Sequence, residues 1–296
     1  MKVGFVALVG RSNTGKSTLL NALVGSKIAI TTPKPQTTRQ AIQGVYHSDE
    51  GQIIFVDTPG VFRKRRDTMT NRMNQAARGA LEGVDLILYV VDPTRAIGEE
   101  EEDILKLIES VKSPKLLVIN KIDEPRPKYL EDYRALSSDF VTTVEISALK
   151  GTHLKTLTKE IFARLPEGEP VYPEHQITNL DNKTWYSELI REKLFLSLHQ
   201  EVPYTVAVEI DEIEKRPSKG SPVKPDSKGK VREILYIKAR NLTDSDQHKR
   251  MIIGAGGAMI RKVGTMTRKE LEHIHGDPVY LELEVVTDPH WPERLQ

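Results

Sequence analysis

Gly10-Arg11-Ser12-Asn13-Thr14-Gly15-Lys16-Ser17 is the stretch whose reading decides the fold of this chain. It follows a short, apolar, β-rich run, Gly4 to Val9, and leads into Ser17-Thr-Leu-Leu-Asn-Ala-Leu23, the start of an amphipathic helix. Strand, glycine loop and helix form the context in which this spacing binds phosphate. Gly10 and Gly15 let the backbone turn tightly enough for successive N–H groups to face phosphate oxygens, and the helix N-terminus adds its positive end. Lys16 carries a mobile charge toward the β- and γ-phosphates, and the Ser17 hydroxyl is placed to ligate Mg²⁺. The contacting set in this stretch is Gly10, Asn13, Thr14, Gly15, Lys16, Ser17 and Thr18.

The elements that follow repeat one pattern, an apolar strand ending in a polar turn. Thr31 to Arg39 is polar and proline-bearing and reads as a loop, in which Thr38, with Thr37 as its neighbour, is the candidate to reach Mg²⁺ while a γ-phosphate is present. Ile53 to Val56 is a buried-type strand that delivers Asp57-Thr58-Pro59-Gly60 to its C-terminal end. Asp57 fits the strand-end carboxylate that helps hold Mg²⁺, and the Gly60 N–H fits a γ-phosphate sensor. Lys16, Thr38 and Gly60 are thus the catalytic candidates, and Ser17, Thr38 and Asp57 the metal ligands. Val61 stands where some nucleotide hydrolases place a water-orienting Gln, so slow intrinsic hydrolysis is expected. The basic run Arg63 to Arg66 suits a solvated loop and a partner contact equally.

Two more apolar strands, Leu86 to Val91 and Leu116 to Ile119, flank a helix expected over Glu99 to Val111, whose early Glu residues favour its N-terminus. After the second strand stands Asn120-Lys121-Ile122-Asp123. The Asp123 carboxylate can accept the N1–H and N2–H₂ of guanine. Adenine offers neither donor, so the site rejects ATP; an ATPase or kinase is the third reading, and it fails if Asp123→Asn trades GTP binding for xanthosine nucleotides. Asn120 is read as tying loops together and the Lys121 stem as covering the base. Ser147, Ala148 and Leu149 follow another strand, and their backbone N–H groups are expected at guanine O6. A helix over about Thr152 to Arg164 closes this α/β unit, a mostly parallel sheet with helices on both faces.

Residues 1–167 therefore read as a nucleotide domain, 168–180 as a stiff connection and 181–296 as a second domain. The segment Leu165 to Pro173 carries three prolines and a glycine, a composition that stops helices. The second domain reads as α+β. A helix over Trp185 to Gln200 precedes two strands, Thr205 to Ile213 and Ile234 to Ala239, separated by a Pro/Ser/Gly/Lys-rich insertion at 216–230 that reads as flexible. A short helix around His248 then runs into Gly254-Ala255-Gly256-Gly257, a longer helix over Ala258 to His275 and a strand over Val279 to Val286. The order α-β-β-α-α-β with a glycine loop between the middle helices is the plan of a type II KH domain, which clamps RNA backbone. From Leu180 onward the chain carries 19 basic and 19 acidic residues, yet Gln247 to Lys269 holds six basic and no acidic ones. The RNA-facing candidates are Lys249, Arg250, Ile253, Gly254, Ala255, Gly256, Gly257, Arg261, Lys262 and Arg268. Trp185 and Trp291 are read as packing residues.

Composition agrees with this organisation without dictating it. The chain has 296 residues, enough for two domains, with 43 Lys and Arg against 42 Asp and Glu, so any nucleic acid must be drawn by a local patch. The absence of cysteine removes disulfides and thiolate chemistry and is compatible with a reducing cytosol. No apolar stretch approaches the ~20 residues that span a bilayer.

Together these residues resemble the Era family of bacterial GTPases, an N-terminal GTPase joined to a C-terminal KH domain. The resemblance covers Gly10–Ser17, Gln36 to Arg39, Asp57–Gly60 with an apolar residue next, Asn120–Asp123, Ser147 to Gly151, Leu165 to Pro170 and Ile252 to Gly257. It implies a GTP/GDP and Mg²⁺ site, with potassium or backbone groups holding the attacking water. It further implies a KH domain that grips 16S rRNA near its 3′ end, and a role in 30S subunit assembly controlled by GTP. The chain is expected to be a cytoplasmic monomer without a DNA partner, and some family members also contact the inner membrane peripherally. The competing reading is an RNA-binding assembly factor whose nucleotide is structural. Three positions depart from the family pattern. Ser12 and Thr14 replace the usual Pro and Val, and Ala255 replaces a Lys that would contact phosphate.

Overall fold

The computed structural model describes residues 1–32, 34, 41–58, 75, 78–199, 202–217 and 233–291, which fall into two compact units, Met1–Leu180 and Asp181–Gln296. Thr37, Thr38, Gly60, Val61, the run Arg63 to Arg66 and the core of the 216–230 insertion lie outside the described residues. Among the described residues no helix is long and apolar enough to cross a membrane.

The first unit alternates strands and helices: β1 (Lys2–Val9), α1 (Lys16–Val24), β2 (Ile42–Ser48), β3 (Gly51–Asp57), β4 (Leu86–Val91), α2 (Glu99–Glu109), β5 (Lys115–Ile119), α3 (Leu130–Arg134), β6 (Thr142–Glu145) and α4 (Leu154–Phe162). The strands order as β2-β3-β1-β4-β5-β6, parallel except for β2, which runs antiparallel to β3. Alternation along each strand sends neighbours to opposite faces, so each face has its own core. On β4, Leu88 and Val90 join Leu19, Leu20, Leu157 and Ile161 on one side, while Ile87, Tyr89 and Val91 join Ile104, Ile108 and Tyr133 on the other. The parallel order places the ends of β1, β3, β4, β5 and β6 along one edge, where ligands bind in such sheets.

Residues 168–180 follow the outer edge of β2. Val45 N–H donates to Ile177 O at 2.8 Å, the Thr178 hydroxyl donates to Gln43 O at 2.8 Å, and the Tyr172 hydroxyl donates to Gln43 Oε1 at 2.5 Å. Gln52 adds three bonds, accepting from Val171 N–H and Tyr172 N–H at 2.8 and 3.0 Å and donating to Tyr172 O at 2.7 Å. A stretch that composition marks as a connection thus also covers an edge strand that would otherwise expose its backbone.

The second unit comprises α5 (Asn182–Ser197), β7 (Val206–Pro217), β8 (Glu233–Thr243), α6 (Asp246–Ile253), α7 (Ala258–His275) and β9 (Val279–Thr287). Its sheet orders as β7-β8-β9, with β7 antiparallel and β9 parallel to β8. Helix α5 begins three residues before the expected Trp185 because the Asp181 carboxylate caps it, accepting from Thr184 N–H at 2.7 Å. It ends at Ser197, before the expected Gln200. Both hairpin strands extend beyond the expected ends, β7 to Pro217 and β8 to Thr243, because their antiparallel pairing continues from Val206–Thr243 to Pro217–Glu233. The core gathers Ile190, Leu194, Val206, Ala239, Ile252 and Val263 from both helices and sheet. Trp185 packs edge-on against His275, and Trp291 is buried.

Candidate functional site: a nucleotide pocket and a glycine loop

The phosphate loop is shaped by close approaches that only glycine permits. A Cβ on Gly10 would lie 2.3 Å from Val90 O, and one on Gly15, whose φ is +96°, would lie 2.3 Å from Asn120 Nδ2. Asn13 is left-handed as well, at φ 65°. Lys16 is buried, and its Nζ donates to Gly10 O at 2.8 Å and Arg11 O at 2.9 Å, which fixes the ammonium across the loop. Burial lowers its pKa to about 8, with the Asp57 carboxylate opposing the fall. The Thr14 hydroxyl donates to Arg11 O at 3.2 Å, so the departure from Val at this buried position leaves no unpaired hydroxyl.

The two described metal-ligand candidates meet directly: Ser17 Oγ donates to Asp57 Oδ2 at 2.6 Å. Asp57 is fully buried at the end of β3. A hydroxyl and a carboxylate converging beside a phosphate loop form the oxygen donor set that Mg²⁺ takes when it also binds phosphate. The residues present therefore fit the implied Mg²⁺–nucleotide group. Thr38 and Gly60 remain outside the described residues, so the structure brings together Lys16, Ser17 and Asp57 only.

On the base side, Asn120 performs the tying role expected of it. Its Nδ2 donates to Thr14 O at 2.8 Å and its Oδ1 accepts from Ala148 N–H at 2.9 Å. Lys121, at φ 64°, places Nζ 2.5 Å from Asp92 Oδ2. Burial pushes the Asp92 carboxyl up, but hydrogen bonds from Lys121 and Thr94 outweigh it and hold the pKa below its ordinary value. Asp123 Oδ1 accepts from Ser147 Oγ at 2.6 Å, and that hydroxyl oxygen accepts from Lys150 N–H at 3.0 Å. Ser147, Ala148 and Leu149, expected to offer N–H groups to guanine O6, follow β6. Ser147 N–H donates to Thr152 O at 3.3 Å and Ala148 N–H serves Asn120, so both are occupied within the protein. The Ser147 hydroxyl thus holds the Asp123 carboxylate, and Leu149 stands exposed beside it.

One group escaped the motif reading. Arg11, inside the phosphate loop, is 6 % exposed and reaches Glu101, which is 1 % exposed. Its Nε lies 2.6 Å from Glu101 Oε1 and its Nη1 donates to Oε2 at 3.0 Å. The Tyr133 hydroxyl donates to Glu101 Oε1 at 3.3 Å. Burial pushes the Glu101 carboxyl up, with the Arg11 guanidinium opposing. Spacing offered only a partial signal: Glu100 and Glu101 both share a helical face with Ile104, and of the two only Glu101 is buried.

In the second unit Ser245 caps α6, and the helix ends at Gly254, φ 72°. Gly256 and Gly257, at φ 56° and 78°, turn the chain into α7. A Cβ on Gly254 would sit 2.7 Å from Met259 Cβ and 2.9 Å from Met259 N. Arg250, Arg261 and Lys262 are exposed around this turn with Ala255 and Gly256, and Lys249 is half-buried. Arg261 Nη2 donates to Gly256 O at 2.8 Å, which braces the loop. Arg268 is paired with Glu272 at 2.9 Å, and Ile253 packs against the core, so these two present only part of their surface.

Comparison with known proteins agrees with this division. Residues 5–121 match the family described as 50S ribosome-binding GTPases, and residues 201–290 match the KH domain family. GTPase Era of Halothermothrix orenii is 39% identical over 295 residues, covering 99% of this chain and 95% of that protein. GTPase Era of Aquifex aeolicus is 40% identical over 302 residues, covering 99% and 96%. Among solved structures, a point variant of Aquifex aeolicus Era bound to GDP and aluminium fluoride has a TM-score of 0.88 at 40% identity, covering 100% of this chain and 97% of that one. Era in complex with MgGDPNP and nucleotides 1506–1542 of 16S ribosomal RNA gives 0.88 at 39% identity, covering 100% and 96%. With a P-loop GTPase unit, a KH unit and this identity along nearly the whole length, the chain belongs to the Era family of GTPases.

Proposed function

We propose that this GTPase is a switch that binds 16S rRNA near its 3′ end through its KH unit and acts in assembly of the small ribosomal subunit. What carries the reading is that one chain holds a guanine-reading nucleotide pocket and a basic glycine loop, and that a relative 39% identical to it binds MgGDPNP and nucleotides 1506–1542 of 16S rRNA together. Six basic residues without an acidic one between Gln247 and Lys269 supply the local field that a neutral unit needs to attract an RNA backbone. The glycines of the loop let that backbone approach closely.

For hydrolysis, Lys16 is pre-set by two carbonyls and directs its ammonium at the β- and γ-phosphates. Ser17 and Asp57 would hold Mg²⁺, which supplies positive charge against the charge spreading over the transferred phosphoryl group. Thr38 completes that ligand set and Gly60 senses the γ-phosphate. Val61 leaves the water without a side-chain amide, so orientation of the nucleophile falls to backbone groups or potassium, and the intrinsic rate is slow. Asp123, held by Ser147, restricts the pocket to guanine. GTP orders the Thr31–Arg39 and Asp57–Arg66 segments, and hydrolysis releases them together with the grip on RNA.

The test is RNA affinity measured for the same 16S 3′ fragment with GDP, with a non-hydrolysable GTP analogue and with no nucleotide. Tighter binding with the analogue is expected. Equal affinities in the three states sink the switch and leave an RNA-binding factor whose nucleotide is structural.

A further inference from the structure

The segment joining β4 to α2 grips the phosphate loop from behind. Arg11 is held at both of its ends. Its guanidinium meets Glu101 in the first turn of α2 and donates to Ala96 O at 3.3 Å. Its own carbonyl is one of the two that fix Lys16 Nζ, at 2.9 Å, and it also accepts from the Thr14 hydroxyl. The next carbonyl, Ser12 O, accepts from Arg95 Nη1 of the same segment at 3.3 Å. At its start the segment is tied by Asp92 to Lys121 of the guanine-reading turn.

We propose that Arg11 and Glu101 form a positioning pair for Lys16 in GTP hydrolysis, setting the direction of the Arg11 peptide and with it the seat of the ammonium. The proposal rests on the GTPase activity and not on the RNA reading. A buried ion pair is a poor source of stability, because removing two charges from water offsets most of their attraction, and apolar replacements of similar volume are often tolerated. Its position suggests a different use. Catalysis by a preorganised charge is sensitive to displacements well under 1 Å in the group that carries it. The Arg11 side chain links a helix outside the nucleotide motifs to the residue whose carbonyl seats Lys16.

The experiment replaces both partners by apolar residues, Arg11→Met with Glu101→Leu, in the full-length protein. Thermal melting at or above the parental midpoint shows that the core has closed over the change. At saturating GTP and Mg²⁺, kcat is expected to fall about ten-fold, in line with a small misplacement of a catalytic group, while KM stays within about two-fold. Should the double variant not fold, Glu101→Gln, assayed well below its own melting temperature, is expected to show the same kcat-selective loss. A parental kcat in either variant, or a loss confined to KM, overturns the proposal.

Discussion

The turns ahead of α1 and α7 both use left-handed glycines to open a helix toward phosphate, but they are supported in opposite ways. Around Gly10 and Gly15 the polar partners are internal: Lys16, Thr14, Asp57 and Asn120 are all buried, and each is hydrogen-bonded to another part of the site. Around Gly254 and Gly257 the cations stand at the surface, and the one side-chain brace found among the described residues is Arg261 on Gly256 O. A single nucleotide must be enclosed and oriented for chemistry, which demands fixed charges in a dry site. A polynucleotide backbone needs only a close, positive, open surface. The glycines answer the same steric problem. What surrounds them separates catalysis from grip.

The sharpest break between the two is one substitution in each. Lys16→Ala removes a preorganised cation from the phosphate site, and a fall in kcat of about 10²–10³ is expected, the range seen for losing one transition-state donor. Nucleotide-free RNA affinity should stay as it was. At the other loop the equivalent damage is steric. Gly254→Val places a Cβ against the Met259 backbone at a φ of 72°, and RNA affinity should fall by at least ten-fold while GTP turnover holds. Individual charges count for less there: Arg261→Ala or Lys262→Ala should weaken RNA binding evenly across sequences and lower the salt slope by about one. An unchanged salt slope in both variants removes these residues from the interface.

A finer test stays within the nucleotide pocket. Ser147→Ala deletes the hydroxyl that holds Asp123, a charge-assisted bond worth about 1.5–3 kcal/mol, of which part returns through water. Equilibrium binding of GDP should weaken about five-fold to ten-fold. Because the carboxylate remains, preference for guanine over adenine nucleotides should persist. Loss of that preference would mean that Ser147, and not Asp123, reads the base.

Much of the first unit was legible because its chemistry is written in backbone needs. Gly10, Gly15, the strand-end Asp57 and the Asn120–Asp123 turn are each forced by where a phosphate, a metal or a base must lie, so spacing alone carries them. Arg11–Glu101 was not legible. An Arg in a variable loop position and a Glu in an acidic helix start each have an ordinary solvated use, and only the fold brings the two together. Ser147 was read for its backbone alone, and the bond from its hydroxyl to Asp123 appears only in the fold. The 168–180 stretch looked like a spacer because its prolines stop helices, and its pairing along β2 depends on Gln43 and Gln52, polar residues that local pattern treats as surface. Strand β8 ran longer than expected for a related reason: Asn241 is buried and donates to Glu284 O, a partner that only β9 supplies.

The smallest expected effect concerns one polar contact within the second unit. His275, near the C-terminus of α7, meets the Tyr186 hydroxyl through Nε2 at 3.0 Å and packs against Trp185, while the residue as a whole stays exposed. Partial burial pulls its pKa below the ordinary value, Asp277 opposes this and Lys215 adds to it. The unfolded chain therefore takes up the proton first as pH falls. Stability from this group is complete above the ordinary imidazole pKa of about 6.5 and is lost as pH drops toward the folded value. Both tryptophans of the chain, Trp185 and Trp291, lie in this unit, so their fluorescence follows its unfolding alone. Melts recorded from pH 7.5 down to 5 should show the parental midpoint falling relative to that of His275→Phe. Parallel curves would mean that the KH unit is held by its apolar core and its caps, with the histidine a spectator at the surface.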